Sequence, residues 1–204
     1  MSRTAQTSMH NLNGKYVRLR PILISDAEIT LDWRLSSRAR LLNDGAQNVI
    51  QQEAWIQSRP ENEMNFIIEA QSGESCGMVS LIGIDSKNLI AEPARFLVDQ
   101  RFSKQPIAVE ATSILYKVAF GDLGLRKLYG KMAGSNKRML AWQQYFGMII
   151  EGRLKEHSWI DGSFEDLILV ALFQETYRSV TIPRIQSYLD NYGKLSQNRD
   201  ETEK

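Results

Sequence analysis

Cysteine and histidine are nearly missing from this chain of 204 residues. A single cysteine, Cys76, excludes an internal disulfide. With only two histidines, His10 and His157, neither a cysteine-based zinc site nor a histidine-rich metal centre can be assembled, and no metal is expected. A surplus of charge is missing too. The 25 Lys and Arg against 24 Asp and Glu leave a net charge of +1, so no overall field draws in nucleic acid or an anionic membrane. No run approaches the ~20 apolar residues that span a bilayer, and the opening MSRTAQTSMH lacks the apolar stretch of a secretory signal. A cytoplasmic protein is the expectation. Glycine is ordinary in number, at 13, yet none stands between Gly83 and Gly121.

What is present is enough for one ordinary core: 43% hydrophobic and 24% charged residues. The polar residues 1–14 read as a flexible segment, 15–180 as the domain, and 181–204 as a C-terminal helix with a charged, disordered tail from 194. Within the domain KYVRLR at 15–20 is a short strand. Ser25 and Glu28 stand three apart like a capping box, ahead of a helix carrying Ile29 and Trp33. Asn48 and Gln51 repeat that spacing before a helix near 50–58. Strands follow at 65–70, 77–84 and 91–98; Pro93 in the last suits an edge or a bulge. Residues 107–120 have helical spacing, 127–132 are a strand, and 136–146 form a helix ending at Gly147. Asp161-Gly162 turns a closing hairpin. A last helix spans 182–192 and stops at Gly193. The order β-α-α-β-β-β-α-β-α-β-β-α describes a mixed α/β (α+β) chain without regular βαβ alternation.

Three strings carry a resemblance. YVRLRPILISDAEITLDWR at 16–34, VEATSILYKVAFGDLGLRKLYGKMAGSN at 109–136 and NKRMLAWQQYFGMIIEGRLKEHSWIDGSFEDLILVAL at 136–172 stand in the order and spacing of the GNAT superfamily of acyl-CoA-dependent N-acyltransferases. The branch most resembled is that of ribosomal-protein-alanine acetyltransferases. The resemblance implies a mostly antiparallel, twisted sheet flanked by helices, with a splayed parallel strand pair at about 91–98 and 127–132. It implies acetyl-CoA as co-substrate. Its pantetheine arm would lie in the splay, held by backbone amides near Leu97, Val98 and Asp99. The implied acceptor is a primary amine on a protein N-terminus, an amino sugar nucleotide or another small metabolite. A homodimer is among the partners considered.

The chain departs from the family at its phosphate loop. Ser103-Lys104-Gln105-Pro106-Ile107-Ala108 stands where the family has Gln/Arg-x-x-Gly-x-Gly/Ala, and Pro106 has no N–H to donate. Two readings are open. Lys104 with the amides of Ile107 and Ala108 still holds the pyrophosphate, with Pro106 well suited to a first helical turn; or the domain is a catalytically silent binding module. The family's acid and base positions carry Gln143 and Lys131, and Tyr145 points about 200° round the helix from Gln143. Glu92 is the remaining candidate base, against an ordinary role as a strand-end carboxylate. Asn136 resembles the family asparagine that orders the cofactor arm, and it can cap the following helix as well. Glu110 is expected to support the first turn of its helix through the dipole. Arg34, Trp33 and Trp159 are candidates to line the acceptor pocket, although Trp33 and Trp55 at helical spacing read first as core. His157 reads as a surface residue and Cys76 as a small core residue.

Overall fold

The computed structural model describes residues 12–41 and 45–202, with side chains as far as residue 195. The first eleven residues of the expected flexible segment lie outside the described residues. Strands β1 (Val17–Pro21), β2 (Met64–Ala70), β3 (Ser75–Asp85), β4 (Ile90–Val98), β5 (Lys127–Ala133), β6 (Ile149–Ile160) and β7 (Ser163–Phe173) form one sheet in the order β1-β2-β3-β4-β5-β7-β6. All neighbours are antiparallel except β4 and β5. The helices are α1 (Ala27–Leu35), α2 (Val49–Gln57), α3 (Ile107–Lys117), α4 (Lys137–Tyr145), the single turn α5 (Gln174–Thr176) and α6 (Ile182–Thr202). This is the mixed, helix-flanked sheet that the sequence implies.

The inner strands β2 and β3 are apolar on both faces because both faces are covered there. Phe66, Ile68, Val79, Leu81, Ala91 and Val98 pack with Ile107, Ala111, Ile114 and Leu115 of α3. The alternate residues Ile67, Met78 and Leu97 pack on the other face with Trp33 of α1 and Ile56 of α2. The hairpin turn is as its residues dictate: Asp161 and Gly162 have φ of +50° and +86°, both positive, as a two-residue turn between twisted strands requires.

Two local readings change. Ser25 and Glu28 do not cap α1. A short 3-10 turn, Ile24–Asp26, precedes the helix, and the Asp26 carboxylate accepts the Leu23 amide at 2.8 Å. The Arg20 guanidinium fixes Asp26 in that register through two hydrogen bonds of 2.8 Å while also donating to Glu69. At the other end, α6 does not stop at Gly193 but runs to Thr202. Ile185 and Leu189 of α6 pack on Val109, Trp142 and Phe146, and Tyr192 meets Tyr16 edge to face at 5.6 Å. Glycine inside a helix costs only about 1 kcal/mol relative to alanine, so Gly193 by itself does not end one.

Glu110 also differs from its sequence reading. Its carboxylate is buried and crosses from the first turn of α3 to β1, accepting the amides of Lys15, Tyr16 and Val17 at 2.7, 2.6 and 2.7 Å. A Cβ on Gly14 would sit 2.4 Å from the Glu110 Cδ, so only glycine lets the chain pass there. Glu110→Ala removes a charged acceptor from three amides at once, a loss of about 3 kcal/mol. For a domain of this size the melting temperature should fall by roughly 6–12 °C, measurable by calorimetry. A shift under 2 °C would show that β1 does not depend on this carboxylate.

Candidate active site

Parallel pairing of β4 and β5 is confined to two positions, Ile90 with Lys127 and Ala91 with Leu128, although the strands run on to Val98 and Ala133. Beyond Ala91 they part. On its other edge β4 follows β3 through a bulge. The register passes from Ser80–Ala94 to Met78–Leu97, and Arg95 takes φ of +52°. The strands therefore enclose an open notch. Asp99 donates its amide to the Cys76 carbonyl at 2.9 Å, so that amide is not available to a ligand. Amides alternate in direction along a strand. Leu97, in register with Met78, thus faces β3 like Asp99, whereas Val98 faces the notch. Of the three amides taken together in the sequence, the geometry keeps one.

The end of β4 leads into α3. Asp99 accepts the Arg101 amide at 2.9 Å and caps the turn Gln100–Phe102. The Trp33 indole also donates to Asp99, at 3.2 Å. Trp33 is therefore a core side chain that steadies this turn, not a wall of the acceptor pocket. Ser103, Lys104 and Gln105 are exposed, and Pro106 caps α3 with φ of −76°. The first internal bond of the helix runs from the Glu110 amide to the Pro106 carbonyl at 3.0 Å. Among the described residues, the amides of Ile107, Ala108 and Val109 have no acceptor. They point out of a helix N-terminus, where the dipole favours an anion. Val109 is an addition to the two amides taken from the sequence.

Glu92, Tyr129 and Lys131 meet across the notch on the face covered by α1 and α2. Burial pushes the Glu92 carboxyl above the ordinary range. The nearby Lys131 ammonium, a hydrogen bond from the Lys131 amide, and Arg95 pull the other way. Burial likewise raises the Tyr129 phenol, and Glu92 and Asp85 add to the effect. Arg95 grips Glu63 through both terminal nitrogens (2.9 and 3.3 Å), donates to Asn65 Oδ1 (3.1 Å), and lies over the Trp55 ring at 5.1 Å. Sequence reasoning missed Arg95, Glu63 and Tyr129. The one available signal was an arginine inside the otherwise apolar run IAEPARFLV.

The other sequence candidates are dispersed. Asn136 caps α4, its Oδ1 accepting the Met139 amide at 3.3 Å. The Arg34 guanidinium lies against Gly45. Trp159 is 64% exposed on the hairpin, edge to face with Phe164 at 4.8 Å, and the hairpin tip is tied to the segment after α1 by Arg40 and Asp161. His157 is exposed and Tyr145 half exposed. The side-chain oxygen of Gln143 is buried without a hydrogen-bond partner. Cys76 is fully buried, which pushes its thiol up to about 12. Among the described residues no group of three or more His, Cys, Asp or Glu could hold a metal ion, and no helix is long and apolar enough to cross a membrane.

Comparison with known proteins decides the family. The profile of the acetyltransferase (GNAT) domain matches residues 17–149, more than half of the chain. The chain belongs to the GNAT acetyltransferase family. Spermidine N(1)-acetyltransferase of Escherichia coli K12 is 26% identical over 117 residues, which cover 57% of this chain and 62% of the relative, so the chain matches under two-thirds of that protein. YdaF of Bacillus subtilis, provisionally named a ribosomal N-acetyltransferase, is 27% identical over 105 residues, 52% of this chain and 57% of the relative. Solved GNAT structures share the fold. A GCN5-related N-acetyltransferase from Brucella melitensis superposes with a TM-score of 0.74 at 21% identity, covering 87% of this chain and 84% of the other. The spermidine/spermine N-acetyltransferase SpeG from Vibrio cholerae superposes with a TM-score of 0.72 at 20% identity, covering 81% and 98%.

The turn that leads into α3 has its own signature. The Arg101 side chain holds the Asp99 carboxyl at about 2, with the Arg101 amide and the Trp33 indole assisting against burial. A carboxyl depressed in the folded state contributes stability above the unfolded value of ~3.9, and that stability is lost as pH falls towards 2. Asp99→Asn should therefore lose less stability than the parent between about pH 4 and pH 2, read by urea denaturation at fixed salt. Identical slopes would contradict this account of Asp99.

Proposed function

We propose that this protein is an acetyl-CoA-dependent N-acetyltransferase acting on a primary amine, drawn from protein N-termini, amino sugar nucleotides and small metabolites. The observation that carries this reading is the trio of unpaired amides at Ile107, Ala108 and Val109, at the head of the helix that follows β4. The residues present fit the co-substrate. Three amides on one helix N-terminus, with exposed Lys104 one turn away, suit a pyrophosphate. The Val98 edge suits an extended arm carrying its own amides. The buried, unpartnered oxygen of Gln143 is an acceptor in want of a donor. Bound acetyl-CoA would supply an activated acetyl thioester.

The chain's own residues then have distinct tasks. The amides of α3 and Lys104 hold the anionic end. The β4 edge orients the arm. Glu92, lifted by burial, takes a proton from the amine, because only a neutral amine has a lone pair to attack with. Gln143 stands where the family has a phenolic acid and has no proton to give, so water protonates the departing sulfur. The names of the spermidine acetyltransferase relatives support amine acetylation as the class of reaction.

Titration calorimetry separates this reading from a silent module. Acetyl-CoA should bind, and Lys104→Ala should weaken CoA roughly tenfold, the loss of one charge-assisted contact, while leaving pantetheine fragments without the pyrophosphate unaffected. No binding at millimolar acetyl-CoA would end the transferase reading. Equal losses for CoA and pantetheine would end the account of Lys104.

A second outcome concerns pH. The base must be ionised, so kcat/KM should rise with pH through a limb lying above the ordinary glutamate value of ~4.3. Glu92→Gln should lower kcat and abolish that limb. If the limb persists in the variant, another group is the base.

A further inference from the structure

Arg59 is a half-buried cation with no counter-ion in hydrogen-bond contact among the described residues. It stands between α2 and β2, donates from Nε to the Ile56 carbonyl at 2.7 Å and from Nη2 to the Ile22 carbonyl at 3.5 Å. Among the described residues it has no carboxylate within ion-pair distance, and its Nη1 has no acceptor. The carboxylate that acts on it, Glu63, is already taken. Arg95 holds both Glu63 oxygens, and the Asn65 amide donates to one of them at 3.3 Å. Burial and the Arg95 charge press the Arg59 guanidinium downward, with Glu63 opposing. Two guanidinium groups around one carboxylate leave one positive charge over. An uncompensated, partly desolvated charge is costly.

The place of this charge gives it meaning. Arg95 acts electrostatically on Arg59 and on Glu92 alike, and it shares β4 with Glu92 while its guanidinium holds Glu63, four residues after Arg59. The group is fixed. Asn65, which accepts from Arg95, also accepts from the buried Ser80 hydroxyl at 2.6 Å, and Trp55 lies under the Arg95 guanidinium. An anion at Arg59 would sit on the same side of the sheet as Glu92.

We infer that Arg59 receives a carboxylate of the acceptor, so that the substrate is an amine that also bears a carboxylate rather than a polyamine. The inference rests on the transferase reading above and narrows its acceptor. A guanidinium with a free edge matches the two oxygens of a carboxylate. A polyamine would instead bring further positive charge against Arg59 and Arg95, where like charges repel.

The test uses the full chain and matched acceptors differing only in the group remote from the amine. These are 4-aminobutanoate, 1,4-diaminobutane and butylamine, and a pair of tetrapeptides with Glu or Lys following the free N-terminal residue. The carboxylated member of at least one set should show a kcat/KM about tenfold or more above its cationic counterpart, the worth of one charge-assisted hydrogen bond. Arg59→Gln should raise the KM for that acceptor roughly tenfold to a hundredfold, with a smaller effect on kcat and none on the KM for acetyl-CoA. Arg59→Lys, which keeps the charge but not the fork, should fall between. The wild-type comparison stands even if Arg59→Gln fails to fold. Cationic or neutral members matching the carboxylated ones, or no acetylation of any carboxylated member by a chain that binds acetyl-CoA, would overturn the inference and leave the transferase reading intact. Failure to bind acetyl-CoA would instead remove the reading on which it rests.

Discussion

Two residue positions join β4 to β5, and the site is built where that pairing ends. Each strand is committed elsewhere. β5 is bound to β7 over seven consecutive positions, from Lys127–Phe173 to Ala133–Leu167. β4 is bound to β3 on its far side and is turned by the bulge at Arg95. Neither strand can follow the other past Ala91 without abandoning its own partner. The result is an open sheet edge in the middle of a sheet. Backbone groups on such an edge need partners, and the extended, amide-bearing arm of the proposed co-substrate would restore the ladder. In the notch the Glu92 carboxylate takes the Lys131 amide, although the Ala91–Leu128 register, carried on, would set Glu92 opposite Tyr129.

Local signals fixed most of the scaffold. Helical spacing, the Asp-Gly turn and the Asn48 cap are each settled by residues within four positions of one another, and the structure follows them, with Asn48 accepting the Gln51 amide at 3.0 Å. The misplaced features are long-range. Asp26 is drawn from the expected cap register by Arg20, a strand neighbour six residues back. Glu110 reaches a strand 93 residues earlier in the chain. The helix at the C-terminus is seated on α3 and α4 by Ile185 and Leu189, and it runs on through Gly193.

The candidate site was legible in the same uneven way. Its position could be read from the strand and helix order, and Glu92, Val98, Lys104, Ile107 and Ala108 lie around the notch or at the head of α3. Trp33 could not be separated from a pocket wall by sequence, because its role depends on Asp99, 66 residues away. Arg59, Glu63 and Arg95 become one group only when three segments are brought together. No spacing in the chain records that.

The absence of glycine from the phosphate loop alters how the amides are presented more than whether they are. A glycine-rich loop wraps an anion by being permissive in φ. Here Pro106 fixes φ at −76°, and each residue that follows is held by a different part of the molecule. Ile107 is buried in the sheet core beneath α3. Val109 is covered by Ile185 and Leu189 of α6. Glu110 is bonded to three amides at the start of β1. Three unpaired amides on a turn so constrained would need no ordering to meet the proposed anion, which removes a cost from binding. On this account the C-terminal helix, packed on α3 and on the end of α4, belongs to the anion site as a brace. In the proposed anion site a constrained turn stands where the resembled family has a glycine-rich loop, with exposed Lys104 beside it.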